Sequence, residues 1–170
     1  MIMGFKDIKS LYPNLDGDDY QPNSLDLRLD KICEIPLALD EGVVGIFGST
    51  KLVPRPKEIE KEELYGEIGY VLAPKTSYIA FVKGNNIKDN RMCIPKDIAQ
   101  FYLPRSTLLR CGISLDTALG DSGFIGHLQF LITNNSLNPF FISVNERIAT
   151  CVSFEVKNGT LYDGDYNEKD

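Results

Sequence analysis

Two arginines and a serine stand close together in residues 104–112, which read Pro-Arg-Ser-Thr-Leu-Leu-Arg-Cys-Gly. In a short helix here, Ser106 is suited to cap the start, Arg110 lies one turn further on the same face, and Gly112 is suited to follow the end. Free backbone N–H groups at a helix start, flanked by two guanidinium groups, bind phosphate well. The segment therefore predicts a phosphate site formed by Arg105, Ser106 and Arg110, although arginines at this spacing also occur on solvated surface helices.

A second segment, residues 117–126, reads Thr-Ala-Leu-Gly-Asp-Ser-Gly-Phe-Ile-Gly and places one aspartate between two glycines. The glycines predict a tight turn that presents Asp121. Taken alone, an aspartate in such a turn most often caps its own loop.

These two segments resemble the trimeric dUTPases and dCTP deaminases, two groups of enzymes that share one fold. The similarity continues through Gln-Pro-Asn-Ser-Leu-Asp-Leu-Arg-Leu at 21–29, Gly-His-Leu-Gln-Phe-Leu-Ile-Thr-Asn at 126–134 and Asn-Glu-Arg-Ile-Ala-Thr at 145–150. It covers nearly the whole chain in the same order and is strongest to the archaeal-type dUTPases. The resemblance implies hydrolysis of dUTP to dUMP and pyrophosphate with Mg²⁺, by a homotrimer whose active sites are shared between neighbouring subunits.

The resemblance also implies roles for the residues of the first two segments. Asp121 corresponds to the aspartate that orients the attacking water and contacts the sugar 3′-hydroxyl. Arg105 and Arg110 correspond to residues that hold triphosphate oxygens, and Ser106 to one that donates a hydrogen bond near the bridging oxygen. Thr150 takes the place of a glutamine near the phosphates and is grouped with the phosphate-binding residues.

Asp26 corresponds to the first-motif acid, which supports the metal–water shell in the dUTPases. Alternatively, Asp26 is an outward-facing strand aspartate paired with Arg28. Both interpretations remain open at the level of sequence.

By the same resemblance, five residues contact the base and sugar: Thr117, Ala118, Leu119, Phe124 and Gln129. The first three form a hairpin whose backbone reads the pyrimidine edge. Phe124 corresponds to an aromatic residue, usually tyrosine, that packs on the deoxyribose, although a buried core aromatic is the competing interpretation. Tyr162 and Tyr166 are possible contacts from the C-terminal tail.

Leu131 stands where the dCTP deaminases carry the glutamate that activates water, and no nearby acid obviously replaces it. Asp165 stands where deaminases place a lysine, and the glycine-rich C-terminal motif of most dUTPases is absent. Three hypotheses follow: a dUTPase, a dCTP deaminase or bifunctional enzyme, and a non-catalytic binding or regulatory relative.

Length and composition limit the classes of protein that need to be considered. The chain has 170 residues and a formal net charge of −6, which suits one domain and argues against a general nucleic-acid binder. No apolar run reaches membrane-spanning length, and no secretion signal begins the chain. We expect a single cytoplasmic domain over residues 1–170, with a flexible tail from about residue 163 and reduced cysteines.

Short alternating runs separated by Gly, Pro and Asn predict an all-β fold, a distorted jelly roll or β-barrel, and the resemblance implies the same β-clip fold. Strands are predicted over residues 24–30, 78–82, 127–133 and 148–156. Helices are predicted at residues 5–11 and 106–111. The charged run at 57–64 is predicted to be an additional helix or a solvated excursion.

Overall fold

The computed structural model describes residues 1–35, 45–47, 50–52, 56–164 and 167; for 45–47 and 50–52 it describes the backbone alone. The described elements are two short helices, one 3₁₀ turn and fourteen strands. In chain order they are α1 (Phe5–Leu11), the 3₁₀ turn (Gly17–Asp19), β1 (Tyr20–Gln21), β2 (Ser24–Glu34), β3 (Gly45–Phe47), β4 (Thr50–Leu52), β5 (Glu62–Leu64), β6 (Glu67–Leu72), β7 (Thr76–Val82), β8 (Met92–Cys93), β9 (Ile98–Pro104), α2 (Ser106–Arg110), β10 (Ile113–Asp116), β11 (Ile125–Gly126), β12 (Gln129–Asn134), β13 (Phe140–Ser143) and β14 (Arg147–Glu155).

Seven strands form one antiparallel sheet in the order β10-β12-β7-β2-β14-β9, with β1 paired to the start of β2. An isolated bridge joins Gln100 of the edge strand β9 to Gly120, which follows the opposite edge strand β10. The two edges of the sheet are therefore tied together, and the sheet curves into a nearly closed barrel. The predicted all-β fold is confirmed.

The core of the barrel follows from the period-two pattern of its strands. Leu25, Leu27 and Leu29 of β2 are buried, as are Phe130 and Ile132 of β12. Ile148 and Cys151 of the long strand β14 are buried in the same cluster of side chains. Smaller antiparallel sheets, β13-β6-β5 and β11-β8, add to the barrel.

The predicted strands and the two predicted helices are present, with bounds that differ by a few residues. The predicted helix at 57–64 is wrong: Glu58 bridges Cys33 of β2, and Glu62–Leu64 pairs with β6. Tyr65 and Gly66 both have positive φ, 52° and 81°, which is typical of a tight hairpin turn. Strand pairing overrides the helical preference of the charged run, although the run is indeed exposed.

Among the described residues, no helix is long and apolar enough to cross a membrane. The described cysteines are free thiols. Cys33 and Cys151 are buried, Cys93 is half-buried and Cys111 is exposed.

Candidate active site

Strand β9 leads directly into the arginine-bearing segment. Arg105 follows its last residue, keeps an extended backbone, and donates its N–H to the Ile148 carbonyl of β14 at 3.1 Å. Because this ladder contact holds Arg105 outside the helix, Arg105 is the N-cap residue and Ser106 is the first helical residue. The prediction that Ser106 caps the helix is therefore wrong, and no side chain caps it.

Asp26 lies at the centre of a group of cationic and polar side chains. Its side chain is fully buried and accepts hydrogen bonds from Arg105 Nη1 and, at 3.0 Å, from Thr150 Oγ1. Arg147 Nη1 lies 3.6 Å from the same carboxylate. A buried carboxylate is stable only with such partners, so Asp26 anchors the two arginines.

The alternative pairing of Asp26 with Arg28 is wrong. Arg28 forms a two-point ion pair with the buried Asp19, at 2.9 and 2.8 Å, and the hydrogen bond that Arg28 donates to Asp19 raises the pKa of its guanidinium. Asp26 and Arg28 are two residues apart in β2 and make these contacts with different partners. Asp26 is not an exposed, outward-facing residue either, since its side chain is fully buried beneath the arginines.

Arg147 was not among the predicted site residues. Strand β14 pairs with β2 so that Thr150 lies opposite Asp26, and a register shift between Arg147 and Ala149 accompanies the approach of Arg147 to the same carboxylate. Its place directly after the turn at Asn145 was the sequence feature that could have identified Arg147 as a site residue. Two guanidinium groups on one carboxylate leave a net positive charge, and both side chains remain about a third exposed.

Ser106 and Arg110 contact each other on the exposed side of α2, as their spacing predicts. Arg110 donates to Ser106 Oγ at 3.0 Å and to the Ser106 carbonyl oxygen at 3.3 Å. The Arg110 guanidinium is therefore held along the helix with donors left for an anion.

The hairpin at Thr117, Ala118 and Leu119 is exposed and is fixed to β9 at both ends. The Thr117 hydroxyl donates to the Tyr102 carbonyl at 2.8 Å. At the other end, Gly120 and Gln100 exchange two backbone hydrogen bonds of 2.8 Å. The exposed backbone of the hairpin is thus held at a fixed position against the barrel.

Asp121 follows the hairpin in the predicted tight turn. Its carbonyl accepts the N–H of Phe124 at 3.1 Å, and Gly123 has a positive φ of 80° that favours glycine. The Asp121 side chain is exposed and has no hydrogen bond or ion pair within the described part of the chain. The backbone closes the turn, so the carboxylate is free to face a ligand.

The C-terminal tail covers one side of this turn. Tyr162 donates its N–H to the Ser122 carbonyl at 2.8 Å, and its ring meets that of the half-buried Phe124 edge-on at 5.7 Å. The side chain of Asn167 accepts the Ile125 N–H at 2.8 Å. Tyr166, the second predicted tail contact, lies outside the described residues.

The outward face of β12 carries Gln129, Leu131 and Thr133, as the alternation predicts. Leu131 lies directly opposite Asp116 of β10. Asp116 is therefore an acidic neighbour of Leu131 on this face. Antiparallel pairing of β10 with β12 supplies this neighbour, and the sequence alone does not give that register.

The cluster of Asp26, Arg105, Arg147 and Thr150 is not linked to the Asp121 turn by any described side-chain hydrogen bond or ion pair. Among residues 1–35 and 56–164, no hydrogen bond or ion pair joins Asp121 to Arg105 or to Arg110. The described residues also contain no group of three or more histidine, cysteine or acidic side chains arranged to hold a metal ion. With the Asp26 oxygens occupied by cations and a hydroxyl, the described chain provides no protein cage for Mg²⁺.

Comparison with known proteins identifies the family to which this arrangement belongs. A family model described as dCTP deaminase-like matches residues 5–156. The chain belongs to the dCTP deaminase-like family. The match includes every element from α1 to β14.

Archaeal members of the family are similar to this chain over nearly their full lengths. A probable deoxyuridine 5′-triphosphate nucleotidohydrolase of Methanopyrus kandleri is 36% identical, over 98% of this chain and 99% of the relative. The deoxyuridine 5′-triphosphate nucleotidohydrolase of Methanocaldococcus jannaschii is 32% identical, over 98% of each. A dCTP deaminase of Pyrobaculum calidifontis is 25% identical, over 96% of this chain and 84% of the relative.

A solved structure supports the fold assignment. The 2′-deoxycytidine 5′-triphosphate deaminase of Agrobacterium tumefaciens superposes with a TM-score of 0.62 at 20% identity, over 89% of this chain and 47% of that chain. The barrel described above is thus the fold of the family.

Proposed function

We propose that this member of the family hydrolyses dUTP to dUMP and pyrophosphate. The observation that carries the proposal is the full-length similarity to archaeal proteins named deoxyuridine 5′-triphosphate nucleotidohydrolase. The chemistry of the site supports it, since an exposed carboxylate with no partner among the described residues accompanies a cluster of guanidinium groups suited to a polyphosphate.

Asp121 is the proposed catalytic residue. Its carboxylate accepts a hydrogen bond from the attacking water and holds that water in line with the α-phosphorus. The backbone-closed turn leaves both carboxylate oxygens available for this role.

Arg105, Ser106 and Arg110 are proposed to bind the triphosphate, with Arg147 as an additional cation near Arg105. The buried Asp26 orients Arg105 and Arg147. This role replaces the implied support of a metal–water shell. Thr150 acts on the phosphates through its hydrogen bond to Asp26.

The exposed backbone of Thr117, Ala118 and Leu119 is proposed to read the uracil edge, and Gln129 lies on the neighbouring outward face of β12. Phe124 is half-buried with one edge against Tyr162, which leaves ring surface for packing on the deoxyribose. These contacts make dUTP the proposed partner.

Mg²⁺ is proposed as the cofactor because a triphosphate carries charge that the arginines only partly offset. Since the described residues offer no cage, the ion would be held mainly by phosphate oxygens and water. When bound, it would supply charge neutralisation at the phosphates.

A homotrimer with shared sites is proposed from two observations. No hydrogen bond or ion pair joins Asp121 to Arg105 or Arg110 in the described part of the chain, and a neighbouring subunit would bring the carboxylate and the guanidinium groups together. In addition, Phe101 and Leu103 on the outer face of β9 are 53% and 54% exposed, beside Phe154 of β14 with ring centroids 5.3 Å apart. An apolar strip of this kind on an edge strand is suited to burial against a second copy.

The position of Asp116 opposite Leu131 favours a dCTP deaminase as the second candidate function. In such a pair, the Cβ atom of Asp116 lies within about 5.5 Å of the Cβ atom of Leu131, the residue that replaces the deaminase glutamate. Leu131 itself has neither a lone pair nor a proton to transfer, which keeps the dUTPase as the main proposal. A non-catalytic binding or regulatory role is the third candidate function.

The proposed role of Asp121 is tested by Asp121→Asn. The amide is nearly isosteric but is a weak acceptor and cannot take a proton, so we expect kcat for dUTP to fall by about a hundredfold or more with little change in nucleotide binding. Asp97→Asn, at another exposed aspartate, is the matched control and should keep full turnover. Turnover of Asp121→Asn equal to that of the control would remove Asp121 from catalysis.

Sharing of sites is tested by combining two inactive variants. Asp121→Asn and Arg110→Ala chains, co-expressed and purified together, should recover about a quarter of wild-type activity, because random assembly pairs the two intact residues in about one site of four. A mixture as inactive as its parents would show that both residues act within one subunit.

A further inference from the structure

A chain of buried polar side chains lies beneath the turn that carries Asp121. Gln100 is fully buried and Tyr102 is 4% exposed, both on β9. The Tyr102 hydroxyl donates to Gln100 Oε1 at 2.7 Å, and Gln100 Nε2 donates to the Tyr12 hydroxyl at 2.6 Å. Buried hydrogen-bonded amides and hydroxyls of this kind hold a single geometry, since leaving any one of these groups unpaired in the interior is unfavourable.

These hydrogen-bonded side chains contact the end of the hairpin at Gly120, the residue before Asp121. A Cβ built on Gly120 would overlap the Tyr102 hydroxyl oxygen, and it would lie 2.8 Å from Ile94 Cδ1 and 3.0 Å from Gln100 Cβ. The backbone of Gly120 therefore rests directly on the Tyr102 hydroxyl. Only glycine permits such a close approach.

Main-chain contacts reinforce the same attachment. Gln100 exchanges two 2.8 Å hydrogen bonds with Gly120, and the Tyr102 carbonyl accepts the Thr117 hydroxyl. Strand β9 continues for two residues beyond Tyr102 and then reaches Arg105. Strand β9 thus both holds the hairpin that precedes Asp121 and leads into Arg105.

The Tyr102 hydroxyl remains protonated throughout the working pH range. Burial raises the pKa of Tyr102 most strongly, and nearby Cys151, Tyr12 and Asp121 raise it further. The Asp121 charge is therefore close enough to act on this phenol. A permanently protonated hydroxyl is a fixed donor to Gln100.

We infer that Gln100 and Tyr102 are positioning residues. They fix the position of the Gly120 backbone against β9 and, through it, the direction of the Asp121 carboxylate. The catalytic consequence rests on the proposed dUTP hydrolysis, whereas the structural consequence does not. A displacement of about 1 Å at a reacting group is enough to lower a rate by up to about a hundredfold.

The test compares Tyr102→Phe with Tyr70→Phe. Tyr70 is the matched control because it is fully buried and its hydroxyl also makes a 2.7 Å side-chain hydrogen bond, to Glu58, but it lies in β6 of a different sheet. Both variants remove one hydroxyl and keep the ring. We expect Tyr102→Phe alone to speed amide hydrogen exchange at Gly120 and Gln100, which donate the two 2.8 Å backbone hydrogen bonds, by about tenfold. We also expect it to lower kcat for dUTP about 10- to 100-fold, with KM changed less than about threefold.

Equal exchange and equal kcat in the two variants would overturn the inference. If the wild-type protein hydrolyses no dUTP, the proposed function fails while the exchange comparison still decides the positioning of the hairpin. Gly120→Ala perturbs the same contact from the hairpin side and serves if Tyr102→Phe does not fold. A fall in kcat in Gly120→Ala would support the inference, and wild-type kcat would overturn it.

Discussion

Side chains of the same type have clearly different surroundings in this protein. Asp26 and Asp121 are both carboxylates, yet one is buried among arginines and the other is exposed with no described partner. Arg105 and Arg110 differ in the same way: Arg105 is paired with Asp26, whereas the hydrogen bonds that Arg110 makes to described residues go to Ser106. The environment of each residue therefore assigns the anchoring and the ligand-facing roles.

Arg110→Ala is expected to weaken binding of dUTP much more than binding of deoxyuridine. A guanidinium–phosphate contact contributes on the order of 2–3 kcal/mol, so affinity for a non-hydrolysed dUTP analogue should fall about 30- to 100-fold. Titration calorimetry with the analogue and with deoxyuridine measures the two losses. Equal losses for both ligands would mean that Arg110 acts through the fold.

At the scale of elements, β2, β14 and β9 are held together at one point by the contacts of Asp26. Thr150 of β14 and Arg105 at the end of β9 both reach the same carboxylate of β2. Since removing one partner leaves buried polar groups unpaired, this contact supports the fold around the proposed phosphate site.

Asp26→Asn should lower the free energy of unfolding by about 2–4 kcal/mol, because two guanidinium groups lose their counter-charge. Urea denaturation measures the change. Asp16→Asn is the control, since Asp16 is exposed and lies 3.8 Å from Arg28, and it should change stability by less than about 1 kcal/mol. A loss for Asp26→Asn no larger than that of the control would contradict the anchoring role.

The strands were predictable because alternation of apolar and polar residues directly encodes a strand with one buried face, as in β2 and β12. The Asp121 turn was predictable from its glycines. Contacts that depend on strand register were not: Asp116 opposite Leu131, and Arg147 beside Asp26, follow from which strands pair and where the ladder shifts. The charged run at 57–64 does not form a helix, because strand pairing with β6 outweighs its local helical propensity.

Across the whole molecule, the barrel interior holds several groups that resist losing a proton. Burial raises the pKa of the Cys151 thiol from an ordinary 9.0 to about 12, and it raises the pKa values of Tyr12 and Tyr102 as well. The unfolded chain releases these protons at ordinary values while the folded chain retains them. The contribution of these groups to the free energy of unfolding is therefore complete below about pH 9. It is lost as the pH rises toward their pKa values in the folded protein.

The free energy of unfolding should accordingly fall between pH 9 and pH 10.5, by up to about 1.4 kcal/mol per pH unit for each such group. Urea denaturation at several pH values measures the slope. Cys151→Val should flatten it, because the variant removes a titrating group. An unchanged slope in that variant would show that Cys151 does not contribute.

The central claim, dUTP hydrolysis without deamination, is tested most directly by the products formed from two substrates. The purified protein is incubated with Mg²⁺ and either dUTP or dCTP, and the nucleotides are separated. We predict dUMP and pyrophosphate from dUTP, and no uracil nucleotide from dCTP, because Leu131 offers no proton-transfer group. Formation of dUTP or dUMP from dCTP, or no product from dUTP, would contradict the claim.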